Sequence, residues 1–308
     1  MDLARDKKTK EIVDIDQLQH SDKIDTKNYM CWGCGIDVYP SSWRKENKKR
    51  PSFNRMPGTE HKPGCDADAE SKYIAQGQKK SIRNILDAVP ELMPNGLKLI
   101  DERPIVSSEI RAQGIRSSST RSTSSTINDK DDEQKKSSRR QVNTIRQICR
   151  AFISYPYDRN MSLDISGINA DTYMTVFKKL KTPIQYYQEN HVFYSQLLWN
   201  KINFDQKQII IPLSGEWKKN ENGELKPSRF YKLYVEWDKW SKTKKTIFRK
   251  ELENAQKDSQ EALNAGNKER AQVFFIGKQD IKNPEIFYAS DFRLICVIMG
   301  YITYPEYN

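Results

Sequence analysis

Between Tyr73 and Phe152 the chain carries no Phe, Trp or Tyr, although 10% of its 308 residues are aromatic. Fixing the backbone of a residue costs about 1–2 kcal/mol of conformational entropy. A stretch without large apolar side chains cannot offset that cost and stays unfolded. The middle of the gap reads RSSSTRSTSST from Arg116 and then NDKDDEQKKSSRR to Arg140, a Ser/Thr-rich and then charged run with no period. Residues 112–140 are therefore expected to be a disordered, flexible linker. It divides the chain into 1–111, a small metal-bound module with a following helix, and 141–308, a larger α+β domain. No run approaches the ~18 consecutive apolar residues of a membrane helix. Residues 1–10 are charged and lack the apolar stretch of a secretory signal. With 52 Lys and Arg against 41 Asp and Glu, the formal charge is +11. These features point to a cytoplasmic protein with no membrane association and an anionic partner.

Helical spacing runs over 69–87 (Tyr73, Ile74, Ile82, Ile85, Leu86), closed by Pro90, and over 142–152 (Val142, Ile145, Ile148, Cys149, Phe152). Residues 97–100 and 104–106 are short strand or loop candidates. Asp171 is a candidate N-cap for a helix to Leu180, with Tyr173, Val176, Phe177 and Leu180 on one face. From residue 191 the period changes. Residues 209–213 are a short apolar run, Tyr231, Leu233, Val235 and Trp237 alternate, and Asn220 to Gly223 is a turn signal, so a β-hairpin is expected. A charged helix over 241–271, broken near 264–267, precedes strand patterns at 273–276 and 292–304, the last expected to be central and buried. The fold class is α+β. The C-terminal domain is expected to hold a mostly antiparallel sheet of about five or six strands with flanking helices.

Five cysteines are too few for a disulfide scaffold at this length. Three of them cluster with a histidine as Cys31-Trp-Gly-Cys34 and His61-Lys-Pro-Gly-Cys65. A Cys-x2-Cys knuckle aims two thiolates at one ion, and a second pair closes the tetrahedron from the far side. Three sulfurs and an imidazole suit one structural Zn2+ ion and leave no position for water. A redox pair is the alternative for the knuckle, but it sits beside a βαβ pattern that is absent here. His20 and His191 read as surface or structural residues. Cys149 and Cys296 read as small buried hydrophobes.

The stretch Ala4-Arg-Asp-Lys-Lys-Thr-Lys-Glu-Ile-Val13, then Tyr29-Met-Cys31-Trp-Gly-Cys34-Gly35, Arg50-Pro-Ser-Phe53, His61 and Cys65 resembles the zinc-binding N-terminal module of competence protein CoiA-like families. The match spans about 65 residues. It departs from the family pattern in lacking a second His beside Phe53 and in carrying Trp32 where a Pro is usual. The resemblance implies the metal ligands Cys31, Cys34, His61 and Cys65 and an association with nucleic acid, and the family's nuclease activity lies outside the matched region.

Five of the seven residues from Arg44 to Arg50 are basic: Arg44, Lys45, Lys48, Lys49 and Arg50, with Arg55 and Lys62 nearby. Such a loop on a rigid metal knob would neutralise phosphates and release counterions. Trp43 and Phe53 flank it and are candidates for stacking on unpaired bases, or for packing on the knuckle. In the C-terminal domain Trp240 with Lys242, Lys244 and Lys245 is the matching surface candidate, where a strand gives way to a charged helix. A metal-dependent nuclease would pair a carboxylate with a following Glu-x-Lys, and Asp205, Glu216 and Lys218 stand in that order. Ser214-Gly215 is expected to break the strand before Glu216. Triplets of this kind also arise at Glu46 and Glu224, by chance in so charged a chain. The principal reading is a non-catalytic, zinc-containing nucleic-acid-binding protein, on DNA ahead of RNA and with single strands included. The alternatives are a DNA nuclease related to CoiA-like proteins and a protein-interaction adaptor with a protein partner.

Overall fold

The computed structural model of the chain describes residues 1, 3–10, 12–18, 24–44, 51–99, 141–219 and 225–305. The 112–140 linker, the 104–106 candidate, His20, the 220–223 turn and residues 45–50 of the basic loop lie outside them. Among the described residues no helix is long and apolar enough to cross a membrane.

The chain opens with five short antiparallel strands, β1 (Leu3–Asp6), β2 (Ile12–Asp14), β3 (Tyr29–Met30), β4 (Asp37–Ser41) and β5 (Ser52–Arg55), in the order β2-β1-β3-β4-β5. Leu3, Tyr29, Val38 and Phe53 are buried from this sheet, with a one-turn helix α1 (Ile15–Leu18) adding Ile15 and Leu18. The continuous helix expected over 69–87 is two helices, α2 (Asp66–Gly77) and α3 (Arg83–Ala88). Tertiary hydrogen bonds override the local pattern at the join. Gln78 Nε2 donates to the carbonyls of Ile153 and Ser154, at 2.7 and 3.0 Å. Buried Asp158 accepts from Ser81 Oγ and, at 2.9 Å, from Ile82 N–H.

Strand β6 (Gly96–Leu97) lies parallel to both β7 (Gln141–Val142) and β8 (Asp164–Ile165). The segments on either side of residues 100–140 thus meet in one small sheet. One buried apolar cluster runs from Leu3, Phe53, Leu86 and Leu97 on to Ile145, Phe152, Tyr173 and Phe274. Described residues from 3 to 97 and from 142 to 302 accordingly share this core. Helix α4 (Ile145–Ser154) is the hinge of that sharing: Arg150 holds buried Asp14 through Nε and Nη2, at 2.6 and 2.8 Å.

The helix expected from Asp171 to Leu180 is a single turn, α5 (Tyr173–Val176), and its cap is Thr172, which exchanges hydrogen bonds with Thr175. Phe177 then leaves the helix for strand β9 (Phe177–Lys179), where its ring stacks on Phe152 at 4.0 Å. Burial in a sheet outweighs the helical spacing here.

The remaining strands are β10 (Val192–Gln196), β11 (Asn203–Phe204), β12 (Gln208–Lys219), β13 (Leu225–Glu236), β14 (Arg270–Phe275), β15 (Lys278–Gln279), β16 (Ile286–Ala289) and β17 (Ile295–Gly300), with helix α6 (Lys242–Asn264) between β13 and β14. They form two sheets rather than one, β17-β14-β10-β9 and β11-β12-β13-β16-β15, mostly antiparallel. A second buried cluster fills the space between them, with Ile209, Ile211, Leu213, Tyr231, Leu233, Val235 and Phe287 meeting Phe193, Val273, Phe275 and Val297. The fold class is α+β, as the sequence implies. The β12–β13 antiparallel pair is the hairpin expected from alternation. Ser214 and Gly215 do not end β12; they form a bulge within it. A Cβ on Gly215 would fall 2.7 Å from the Arg229 carbonyl oxygen, so glycine permits the close approach.

Strand β17 is buried but not central: it is the edge of its sheet. At Val297 the outward backbone groups are satisfied by side chains instead of a neighbouring strand. Glu251 on α6 accepts from Val297 N–H at 2.8 Å, and Arg146 on α4 donates to the Val297 carbonyl at 3.2 Å. Arg146 and Glu251 also pair with each other, both buried. The ion pair thus takes the place of a further strand and closes the edge against other chains.

Candidate metal centre

Cys31 and Cys34 lie on the turn between β3 and β4, and its geometry is set by short backbone bonds. Cys31 N–H donates to Ile36 O at 2.7 Å and Gly35 N–H to Cys31 O at 3.0 Å. Gly35 adopts φ +77°, a left-handed conformation that glycine adopts without strain. Cys34 N–H points at Cys31 Sγ from 3.4 Å. His61 and Cys65 come from the segment before α2, with Cys65 as its N-cap residue.

The four ligand atoms lie within 4.8 Å of one another. Cys31 Sγ is 3.6 Å from Cys65 Sγ, and Cys34 Sγ is 3.4 Å from His61 Nδ1. A tetrahedral ion with bonds of about 2.0–2.3 Å requires donor separations of about 3.4–3.8 Å. The residues fit a single metal ion, and among the described residues this is the one His/Cys/Asp/Glu group of that kind. Cys31 is buried, and burial pushes its thiol up to about 12. Cys34 is held down to about 6: burial opposes ionisation, but the backbone of Ile36 and Lys62 and the His61 ring outweigh it.

Two neighbouring residues escaped sequence reasoning. Asp68, in the first turn of α2, stands 3.8 Å from His61 Nε2, opposite the ligating nitrogen. At that separation the carboxylate is a neighbour of the ring and not a hydrogen-bond partner. The signal was available in the spacing, but it required α2 to start at Asp66 rather than at residue 69. Gly33 is the other. A Cβ on it would sit 3.0 Å from Cys65 Sγ and 3.3 Å from Ala67 N. Gly33→Ala is therefore expected to displace the Cys65 sulfur and weaken metal affinity by about tenfold or more, read by competition with a chromogenic chelator. An unchanged affinity would show that the knuckle does not need the close approach.

Phe53 is buried and belongs to the first core. Trp43 packs partly against that core, with the Arg44 guanidinium 5.5 Å over its ring. Arg44 and Arg55 are exposed, Arg44 beside the 45–50 loop and Arg55 at the other end of β5. Lys45, Lys48, Lys49 and Arg50 lie outside the described residues. Trp240 is engaged: its Nε1 donates to Ser290 O at 2.6 Å, and its ring meets Trp237, Phe248 and Phe292 edge-on. Lys242 is exposed, Lys244 lies in the field of Asp291, and Lys245 Nζ donates to Asp238 O at 3.3 Å. Asp205 lies before β12 and Glu216 eight residues past its start, about 26 Å along an extended strand. Glu216 accepts from Ile184 N–H at 3.0 Å and faces Arg229, while Lys218 is exposed. The structure does not bring the three together. Cys149 and Cys296 are buried, and burial raises the Cys149 thiol well above its ordinary range. His191 is half-buried against Phe193.

No family model, curated protein or solved structure matches the chain.

Proposed function

We propose that Cys31, Cys34, His61 and Cys65 hold one structural zinc ion, and that the protein binds nucleic acid, DNA ahead of RNA, without cutting it. The donor set carries the zinc reading. Three thiols and an imidazole suit a borderline-soft ion, whereas magnesium and calcium take oxygen. Four protein ligands complete a tetrahedron, so the ion would tie the β3–β4 turn to the start of α2 and perform no chemistry. Free thiols of this kind persist in a reducing compartment, which favours the cytoplasm.

The nucleic-acid reading rests on the +11 charge, on the basic run from Arg44 to Arg50, and on the resemblance of the first 65 residues to CoiA-like modules. The separation of Asp205 from Glu216 favours binding over cleavage. Fluorescence anisotropy with single- and double-stranded DNA and RNA at two salt concentrations tests it. Replacing Arg44, Lys45 and Lys48 by Gln should weaken binding and flatten the salt dependence by about one log–log unit per lost contact, with zinc retained. Absence of binding at low salt would overturn the reading and favour a protein-interaction adaptor. Cleavage on adding Mg2+ or Mn2+ would favour a nuclease.

A further inference from the structure

One face of the β11-β12-β13-β16-β15 sheet fills the second core, and the alternate positions of β13 and β16 point away from it. There Phe230, Lys232 and Tyr234 lie along β13, with Ile286 and Tyr288 beside them on β16. Lys278, Tyr288, Tyr234 and Ile210 form one cross-strand row. The Tyr234 and Tyr288 rings are 5.6 Å apart and tilted by 45°, and Tyr288 is 40% exposed. Lys232 Nζ lies 5.5 Å over the Phe230 ring. At the end of the row is an open depression of about 380 Å³, lined by Tyr288, Lys278, Glu236, Asn190, Ser290 and Asp291.

We propose that this face binds single-stranded nucleic acid, with one unpaired base stacked on Tyr288 in the depression and phosphates on Lys278 and Lys232; the proposal rests on the nucleic-acid reading above. Partly exposed rings on a rigid sheet offer stacking to any unpaired base. The lysines supply charge of the right sign, Lys278 directly across from Tyr288 and Lys232 two residues from Tyr234. The carboxylates identify what enters the depression. A surface that met phosphate alone would exclude them, whereas a base edge uses them as acceptors for exocyclic amino groups. Asp291 is already held by Arg293, through Nε at 3.0 Å and Nη2 at 2.7 Å, so Glu236 is the acceptor left for a ligand. The site therefore favours cytosine and adenine over thymine. A duplex, whose bases are paired and stacked, cannot enter it.

The test is anisotropy of labelled oligo(dC), oligo(dT) and a duplex with the full-length, metal-loaded protein. Oligo(dC) should bind more tightly than oligo(dT). Tyr288→Ala should lower oligo(dC) affinity about tenfold with duplex affinity unchanged, and Tyr288→Phe should restore it, because the ring and not the hydroxyl does the stacking. Glu236→Gln should erase the dC over dT preference, and Lys278→Gln should reduce the salt slope by about one unit. Both are exposed substitutions that test the site even if Tyr288→Ala fails to fold. If the wild type binds single strands and these variants bind identically, the sheet face is not the site and the broader reading survives. If the wild type binds no nucleic acid, both fall.

Discussion

Stripping the metal from the full-length chain is expected to melt the first sheet and α2 while β12, β13 and their partners stay folded. The ion would cross-link the β3–β4 turn to the start of α2, and a structural zinc supplies about 10 kcal/mol or more in small modules. The module's own strands are only two to five residues long and contribute little cross-strand pairing of their own. The second core, by contrast, is built wholly from residues from Leu180 onward. Hydrogen exchange should lose protection over 3–97 on chelation and keep it at 209–213 and 231–235. Loss would extend into α4, because Arg150 would be left without Asp14. Unchanged protection over 3–97 would show that the module folds without metal.

Glu251→Ala is expected to lower the unfolding free energy by about 3–5 kcal/mol, measured by urea denaturation. The substitution leaves the Arg146 guanidinium as an uncompensated buried charge and removes the acceptor for Val297 N–H. Replacing both partners by apolar residues, Arg146→Met with Glu251→Leu, should recover much of the loss, since the desolvation cost of the pair disappears with it. A residual deficit from the unpaired Val297 groups would remain. A loss below about 1 kcal/mol for Glu251→Ala would contradict the assignment of this pair as the closure of the β17 edge.

What was legible in the sequence was what depends on spacing alone. The Cys-x2-Cys and His-x3-Cys pairs come together because a tight turn and a helix start each fix two donors locally. An apolar run marked β12 and alternation marked β13, with Ile209, Ile211, Leu213, Tyr231, Leu233 and Val235 turned inward. The α4 stripe was equally clear, since Ile145, Ile148, Cys149 and Phe152 all turn inward. The failures come from tertiary contacts. Phe177 has helical spacing from Tyr173, yet its ring stacks on Phe152 from a strand. The 69–87 pattern breaks where buried Asp158, over 70 residues away, binds Ser81 and Ile82. The two-sheet arrangement was hidden because strands as short as β15 and β11 leave almost no pattern. The edge position of β17 was hidden because Arg146 and Glu251 make it as buried as a central strand. Trp240, whose neighbours in sequence are lysines, is partly exposed and has aromatic neighbours in space.

Metal content tests the central assignment most directly. Elemental analysis of the freshly purified full-length protein should find a single zinc per chain, and Cys34→Ser should lose it, because three ligands cannot close the tetrahedron. Zinc-free wild-type protein, or full zinc retention in Cys34→Ser, would contradict the Cys31, Cys34, His61 and Cys65 site.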